Sequence, residues 1–296
     1  MLVPLPPFPN QVEPGTLLVM LPFRLAAIDL DDTLLGPDKA VGPENANALR
    51  RLTNAGVHCV LASGRRHENM IRFHRRLGLE GFLVSCNGAL VRHGETGETL
   101  LQTIVPAPLA HQILVEGDRR GATQNFYHTD GGLYVREKTI WTDVYQERTG
   151  SEVTPLGDLA HLEGDALKIL WIDSPPQISV WLAEMREHWG EQLYITTTDP
   201  EYLEFMAPGV SKAVGVQTVA AKMNLPREQI LAFGDGNNDV PLLKWAGFGV
   251  AVSHARPAAQ AAADFIAPPG DPETAFARAV EAVFNRYMPA ENGVPQ

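Results

Sequence analysis

The chain is short of cysteine, of basic residues and of long apolar runs. Only two cysteines, Cys59 and Cys86, occur in 296 residues. Each lies in an apolar stretch and reads as a small core residue. Two cysteines build neither a disulfide framework nor a cysteine zinc site. None of the nine histidines stands four residues from another, so the His-x-x-x-His pattern of helical zinc sites is missing. Lys and Arg number 24 against 35 Asp and Glu, a formal net charge of −11. A protein that tracks a nucleic-acid backbone needs a basic stripe, so that role is excluded. A small anionic substrate is not, because one site can be locally positive. No apolar run reaches the roughly 18 residues of a membrane span. The first twenty residues, MLVPLPPFPNQVEPGTLLVM, hold no Lys or Arg and four prolines by Pro9. That does not fit a secretory signal. Residues 1–20 read as a poorly ordered tail, Met20 as an alternative start, and the cytoplasm as the default location.

The organised part alternates. FRLAAIDL, VHCVLASG and GFLVSCNG are short, apolar and bounded, as buried strands are. PENANALRRLTNAG and RHENMIRFHRRLG carry apolar positions at helical spacing and close on glycine. Strand–helix–strand alternation predicts a parallel sheet covered on both faces. The rhythm then changes. One hairpin is expected around Gly94–Gly97 and a second around Asp130–Gly132, followed by DALKILWID and the helical PQISVWLAEMREHWG. From about Glu191 strands and helices resume. The fold expected is α/β: a Rossmann-like parallel-sheet core over 21–87 and 191–296, with an inserted α+β cap over 88–190. Such an insert is expected to act as a lid. Ligands of open parallel sheets bind beyond the carboxyl ends of the strands.

Four stretches lie at such ends. In IDLDDTLL, Asp29 and Asp31 alternate, so in an extended segment they share a face while Asp32 points away. Two converging carboxylates suit a divalent cation with hard oxygen ligands, Mg²⁺; the same residues also suit a helix N-cap. In AFGDGNNDV, Asp235 and Asp239 stand four apart where a strand meets a helix, as metal ligands or as turn residues. Ser63 and Gly64 in LASGRR, between strand and helix, suit a phosphate site or a plain cap. Lys212 in GVSKAV opens a helix, within reach of an anion or in solvent. Together they supply carboxylates, a hydroxyl and an ammonium, the inventory of phosphoryl transfer. Asp29 is then the nucleophile and Asp31 the general acid and base.

The order DLDDT, SGR, SK, GDGNND resembles the haloacid dehalogenase superfamily of phosphohydrolases. SCNGAL and an insert of roughly 100 residues between Ser63 and Lys212 make it similar to the Cof-type subfamily. The resemblance runs from Phe23 to about Phe284. It implies a phosphorylated nucleophile and Mg²⁺ ligand at Asp29, and an acid–base at Asp31 that lends its backbone carbonyl to the metal. It implies phosphate binding by Ser63 and Lys212, a direct metal ligand at Asp235, a second acid at Asp239 and a polar phosphate contact at Asn238. Asn87 and Gly88 match the turn into the cap, with Asn87 near substrate. The activity implied is Mg²⁺-dependent hydrolysis of a small phosphorylated metabolite: a sugar phosphate, nucleotide or cofactor phosphate. The alternatives are a phosphotransferase or mutase of the same superfamily, and a non-catalytic phospho-ligand sensor.

Other residues carry weaker signals. Arg65 and Arg66 read first as exposed first-turn arginines. Phe126, Tyr127, Tyr134 and Trp141 read mainly as cap core. His128 and Asp130 sit near a hairpin tip that could face the site.

Overall fold

The computed structural model describes residues 21–288, so the expected N-terminal tail lies outside the described residues. The chain opens with β1 (Leu25–Ile28), α1 (Pro43–Asn54), β2 (His58–Leu61), α2 (His67–Arg76) and β3 (Phe82–Ser85), then the hairpin β4 (Leu90–His93) and β5 (Thr99–Gln102). Next come α3 (Ala107–Arg120), β6 (Thr123–His128), β7 (Leu133–Val135), α4 (Ile140–Thr149) and β8 (Thr154–Pro155). They are followed by β9 (Ala166–Ile172), α5 (Pro175–Trp189), β10 (Tyr194–Thr197) and β11 (Tyr202–Met206). The last stretch holds α6 (Lys212–Lys222), β12 (Ile230–Gly234), α7 (Val240–Trp245), β13 (Phe248–Ala251), α8 (Pro257–Ala262), β14 (Phe265–Ile266) and α9 (Ala275–Tyr287).

The core sheet runs β14-β13-β12-β1-β2, all parallel. A parallel bridge, Ala62 to Val84, carries it on to β3, where the antiparallel β3-β4-β5 begins. β1 and β12 are buried along their whole length, which is why they read as unbroken apolar runs. Successive side chains go to opposite faces. Ile28, Leu61 and Phe233 pack with Leu49 and Phe276 on one side. Ala27, Val60 and Ala232 pack with Val216 and Leu242 on the other. β1 lies between β12 and β2, so the chain leaves it in opposite directions and opens a crevice at its carboxyl end.

The second sheet has six strands, β10-β11-β9-β6-β7-β8, antiparallel except for β7 with β8. One face is covered from within: Trp171 and Phe205 pack against Trp181 and Trp189 of α5 and Ile113 of α3. The other face packs onto the core, with Tyr127, Leu170 and Tyr202 clustering with Cys86, Ala89 and Val210. This is the cap, and it roofs the crevice.

Both expected hairpins form. Strand pairing, however, departs from the expected limits at both ends of the insert. β4 and β5 extend β3 rather than the cap, because the chain reverses at Asn87–Gly88 and pairs at once with the open edge of β3. β10 and β11 belong to the cap sheet. β11 is buried throughout and reads like a core strand, since an apolar run does not say which sheet it joins.

Candidate active site

Asp29 follows β1, Ser63 stands just beyond β2, Asp235 follows β12, and Lys212 opens α6. Asp29, Asp31, Ser63, Gly64, Asp235 and Asn238 line one cavity between core and cap.

The chain does not stay extended past Asp29. The Leu34 N–H donates to the Asp29 carbonyl at 3.3 Å and the Leu35 N–H to the Leu30 carbonyl at 2.8 Å, closing a wide π-type turn over Leu30–Leu34. Asp29 and Asp31 therefore converge by a turn and not by strand alternation. Asp32 has φ 59° and does not point away: it sits at the cavity rim with Lys39, 2.8 Å from its ammonium. Thr33 donates to Asp235 Oδ1 at 3.2 Å, tying this turn to the next strand end.

Lys212 is wholly buried. Its Nζ donates to Asp29 Oδ1 and, at 2.6 Å, to Asp239 Oδ1. The other oxygen of Asp239 accepts the backbone N–H groups of Asp235 (3.0 Å) and Gly236 (2.9 Å). Asp239 thus shapes the turn that carries Asp235. Gly234 makes room for this, since a Cβ there would lie 2.5 Å from Asp239 Cγ.

Oxygens of Asp29, Asp235 and Asp239 lie within 4.8 Å of one another. Three carboxylates against one ammonium leave two negative charges uncompensated, the charge of one divalent cation. Burial pushes the Asp29 carboxyl well above its ordinary value; Asp239 and Asp235 add to this, and Lys212 offsets only part. Burial and then Asp239 push Asp235 up to about 7. For Lys212, burial opposes the charge, but Asp239 and Asp29 outweigh it and hold the ammonium above its ordinary value. A crowded, hard-oxygen donor set with surplus negative charge fits Mg²⁺.

Ser63 and Gly64 are not at the start of α2, whose N-cap is Arg66. They lie in a loop laced to the β3 end: the Ser63 N–H donates to the Val84 carbonyl, the Asn87 N–H to the Ser63 carbonyl, and the Cys86 N–H to the Arg65 carbonyl, at 2.9–3.0 Å. Ser63 Oγ accepts the Arg65 N–H at 3.2 Å, which leaves its own hydrogen free to donate. Asn87, at φ 55°, donates to Glu204 at 2.7 Å and accepts from Asn238 at 3.0 Å. Gly88 has φ 98°, and a Cβ there would lie 2.1 Å from the Ser211 carbonyl oxygen, so this turn rests on the start of α6.

Arg65 is a correction. Its side chain is 5% exposed and forks Asp31 through Nε and Nη2, each at 2.7 Å. Burial favours the neutral acid at Asp31, but the hydrogen bonds and charge of Arg65 outweigh it and hold the carboxyl below its ordinary value. Arg66 bonds cap carbonyls, those of Gly131 and Glu152. Of the four aromatics singled out, only Tyr127 lines the cavity; Phe126 is cap core, Tyr134 bonds Asp130, and Trp141 packs at the margin. His128 pairs with Asp130 at 2.9 Å, and neither lines the cavity.

The cap supplies lining residues that sequence reasoning passed over: Tyr145, Arg148, Lys168, Asp199, Tyr202 and Glu204. Lys168 and Glu204 form a buried ion pair at 2.6 Å, and Lys168 also donates to the Gly64 carbonyl at 3.1 Å. For Lys168, burial opposes the charge, and Glu204 outweighs it, leaving the ammonium above its ordinary value. One signal was available, a single charge inside an apolar strand run in each of ALKILWI and YLEFM.

Comparison with known proteins agrees with these motifs. The model of the haloacid dehalogenase-like hydrolases matches residues 26–279. The HMP-PP phosphatase of Serratia proteamaculans is 26% identical over 246 residues, covering 79% of this chain and 85% of that protein. The HMP-PP phosphatase of Yersinia pestis (strain Pestoides F) is 29% identical over 239 residues, covering 79% and 85%. Among solved structures, a haloacid dehalogenase-like hydrolase from Bacteroides thetaiotaomicron superposes with a TM-score of 0.80 at 23% identity, covering 88% of this chain and all of that one. The family match spans both ends of the core sheet and the cap between them, so this chain belongs to the haloacid dehalogenase-like hydrolase family.

Proposed function

We propose that the chain is a Mg²⁺-dependent phosphatase of a small phosphorylated metabolite and works through a phosphoaspartate on Asp29. The observation that carries this reading is convergence: Asp29, Asp31, Ser63 and Asp235 line one cavity, and Lys212 is bonded to Asp29 beneath it. The phosphatase relatives support a phosphate ester as substrate. A cavity of about 130 Å³ has room for roughly four water molecules at liquid density. That suits a phosphoryl group with one small organic group, as in a sugar phosphate, and not a polymer.

Asp29 and Asp235 would hold Mg²⁺, with Asp239 behind them, and the ion would neutralise charge on the phosphoryl oxygens and the attacking carboxylate. Lys212 fixes the Asp29 carboxylate. The Ser63 hydroxyl and the Asn238 amide donate to phosphoryl oxygens. Asp29 attacks phosphorus, the bond from phosphorus to the leaving oxygen breaks, and Asp31, protonated as the phosphoryl charge enters beside it against the pull of Arg65, gives that oxygen its proton. Water then attacks the phosphoaspartate and passes a proton to Asp31. The bond from phosphorus to Asp29 breaks, and inorganic phosphate leaves. Cap closure keeps other water out during the first half.

The test is hydrolysis of a panel of phosphorylated metabolites with Mg²⁺ and with chelator. Release of phosphate from at least one small ester, abolished by chelator and restored by Mg²⁺, is expected. Turnover that is indifferent to chelator overturns the metal assignment. Labelled phosphoryl found on a residue other than Asp29 overturns the covalent route.

A further inference from the structure

Cap and core meet along a polar seam beside the cavity. Helix α4 of the cap ends at Thr149, and its last carbonyls face the start of α2. Arg65 Nη1 donates to the Thr149 carbonyl at 2.9 Å, and Arg72 Nη2 to the same carbonyl at 3.2 Å. Asn69 donates to the Gly150 carbonyl at 3.0 Å and accepts from Ser151 Oγ at 2.8 Å. A helix C-terminus leaves carbonyls unpaired and carries partial negative charge, so cations and amide donors belong there.

Arg65 differs from the other members of the seam, because the same guanidinium also forks Asp31. A guanidinium is planar, with five donors in fixed directions. Its bonds to Asp31 and to Thr149 cannot be adjusted independently. The backbone beneath it is fixed as well, through the Cys86 N–H on the Arg65 carbonyl at 2.9 Å. Displacing the end of α4 must therefore either break the Thr149 bond or turn the fork on Asp31. A carboxylate has about four lone-pair sites, so a forked Asp31 still has a place for a leaving-group oxygen or a water. Proton transfer needs that partner within about 2.6–3.2 Å, so the angle of the carboxylate decides whether it works.

We infer that Arg65 is a positioning residue that couples the seating of the cap to the alignment of Asp31. With α4 docked, the fork sets the angle of the Asp31 carboxyl, and alignment outweighs the pull of its charge against the proton that Asp31 must carry. With α4 away, Arg65 loses its outer partner, and the acid–base group is no longer held. A ligand that does not allow the cap to seat is then a poor substrate even where its phosphoryl group binds. This inference rests on the reading of Asp31 as acid and base.

The experiment compares an aryl ester, p-nitrophenyl phosphate, with an alkyl ester, glycerol 3-phosphate, both with Mg²⁺. Only the alkyl leaving group needs a proton as it departs. The quantity read is kcat/KM, which reports formation of the phosphoaspartate. Asp31→Asn measures the full split between the esters. Arg65→Gln is expected to lower kcat/KM for the alkyl ester about tenfold more than for the aryl ester, part of the 10²–10⁴ that acid–base catalysis supplies. Arg65→Lys, which keeps charge but not the fork, is expected to show a smaller split of the same sign. It carries the comparison if the glutamine variant does not fold. The double variant Asn69→Ala/Arg72→Ala loosens the seam without touching Asp31, and it is expected to split the esters in the same direction. Equal losses on both esters in the Arg65 variants, with Asp31→Asn still splitting them, overturn the inference and leave the acid–base reading standing. A split in the Arg65 variants but not in the seam variant overturns the coupling to the cap. No split in Asp31→Asn overturns the acid–base reading itself.

Discussion

The core and the cap each bury charged side chains, but they balance them differently. At the floor of the cavity, three carboxylates, Asp29, Asp235 and Asp239, cluster about the single ammonium of Lys212, which pairs with Asp29 and Asp239. In the cap, Lys168 and Glu204 pair one to one, and Thr198 and Asn87 complete the bonding of Glu204. The first set is left short of positive charge and the second is not. Buried charge persists only when compensated. The cap pair is therefore explained by the protein alone, as a brace between β9 and β11 that also grips the Gly64 carbonyl. The core set is short of positive charge within the protein, which supports the cation proposed for it.

The largest effect expected from this contrast is at Asp29. Asp29→Asn should lower turnover by a factor on the order of 10⁶, the scale seen when a covalent nucleophile is removed. The folded chain should persist, because the change removes one charge from an overcrowded set. Steady-state kinetics with p-nitrophenyl phosphate and a thermal melt of the metal-free protein check the two halves. A metal-free Asp29→Asn protein much less stable than its parent breaks the contrast, since Asp29 would then be a structural charge like Glu204.

The cap pair should behave in the opposite way. Lys168→Met strands Glu204 in a buried site, and breaking a buried pair on one side typically costs about 3–5 kcal/mol. Replacing both partners, Lys168→Met with Glu204→Leu, should recover most of that, because neither charge is then left alone. Denaturant unfolding of the single and double variants measures it. A double variant no more stable than the single would show that the pair is not self-contained.

The same contrast explains what could be read from the sequence. The core residues Asp29, Ser63, Lys212 and Asp235 lie at strand ends and helix starts, where short motifs record them, and the structure brings them to one place. What local pattern cannot give is the path of the chain between them. The alternation of Asp29 and Asp31 suggested a strand, yet a wide turn brings them together, because Leu30 and Leu34 are both buried and the chain must fold back to bury them. Cap residues were harder still. Lys168 and Glu204 are 36 positions apart and become neighbours only once β9 and β11 pair. Arg65 looked like a surface residue because its partners, Asp31 and Thr149, come from another loop and from the cap.

The smallest effect sharpens the core side of the comparison through pH. In the folded metal-free chain, Asp235 keeps its proton up to about 7, chiefly because it is buried beside Asp239. An unfolded aspartate keeps its proton only to about 4. Between those values the folded chain binds more protons than the unfolded one, so stability falls as pH rises, and the whole penalty is present above about 7. Mg²⁺ at the same carboxylates competes with that proton. The rise in thermal midpoint on adding Mg²⁺ should therefore be largest near pH 8 and should shrink as pH falls through 7 toward 5. The expected size is a few degrees, in keeping with a ligand in modest excess over its dissociation constant. Asp235→Asn should remove most of the Mg²⁺-induced rise at every pH, because an amide is a weaker ligand. It should also weaken, without removing, the pH dependence of the metal-free melt, because Asp235 is gone while the raised carboxyl of Asp29 remains. Lys168→Met/Glu204→Leu should leave the Mg²⁺-induced rise and its pH dependence as in the parent, since neither residue belongs to the acidic set. A Mg²⁺ effect equal at pH 5 and pH 8, or one that survives Asp235→Asn, would place the ion away from these carboxylates.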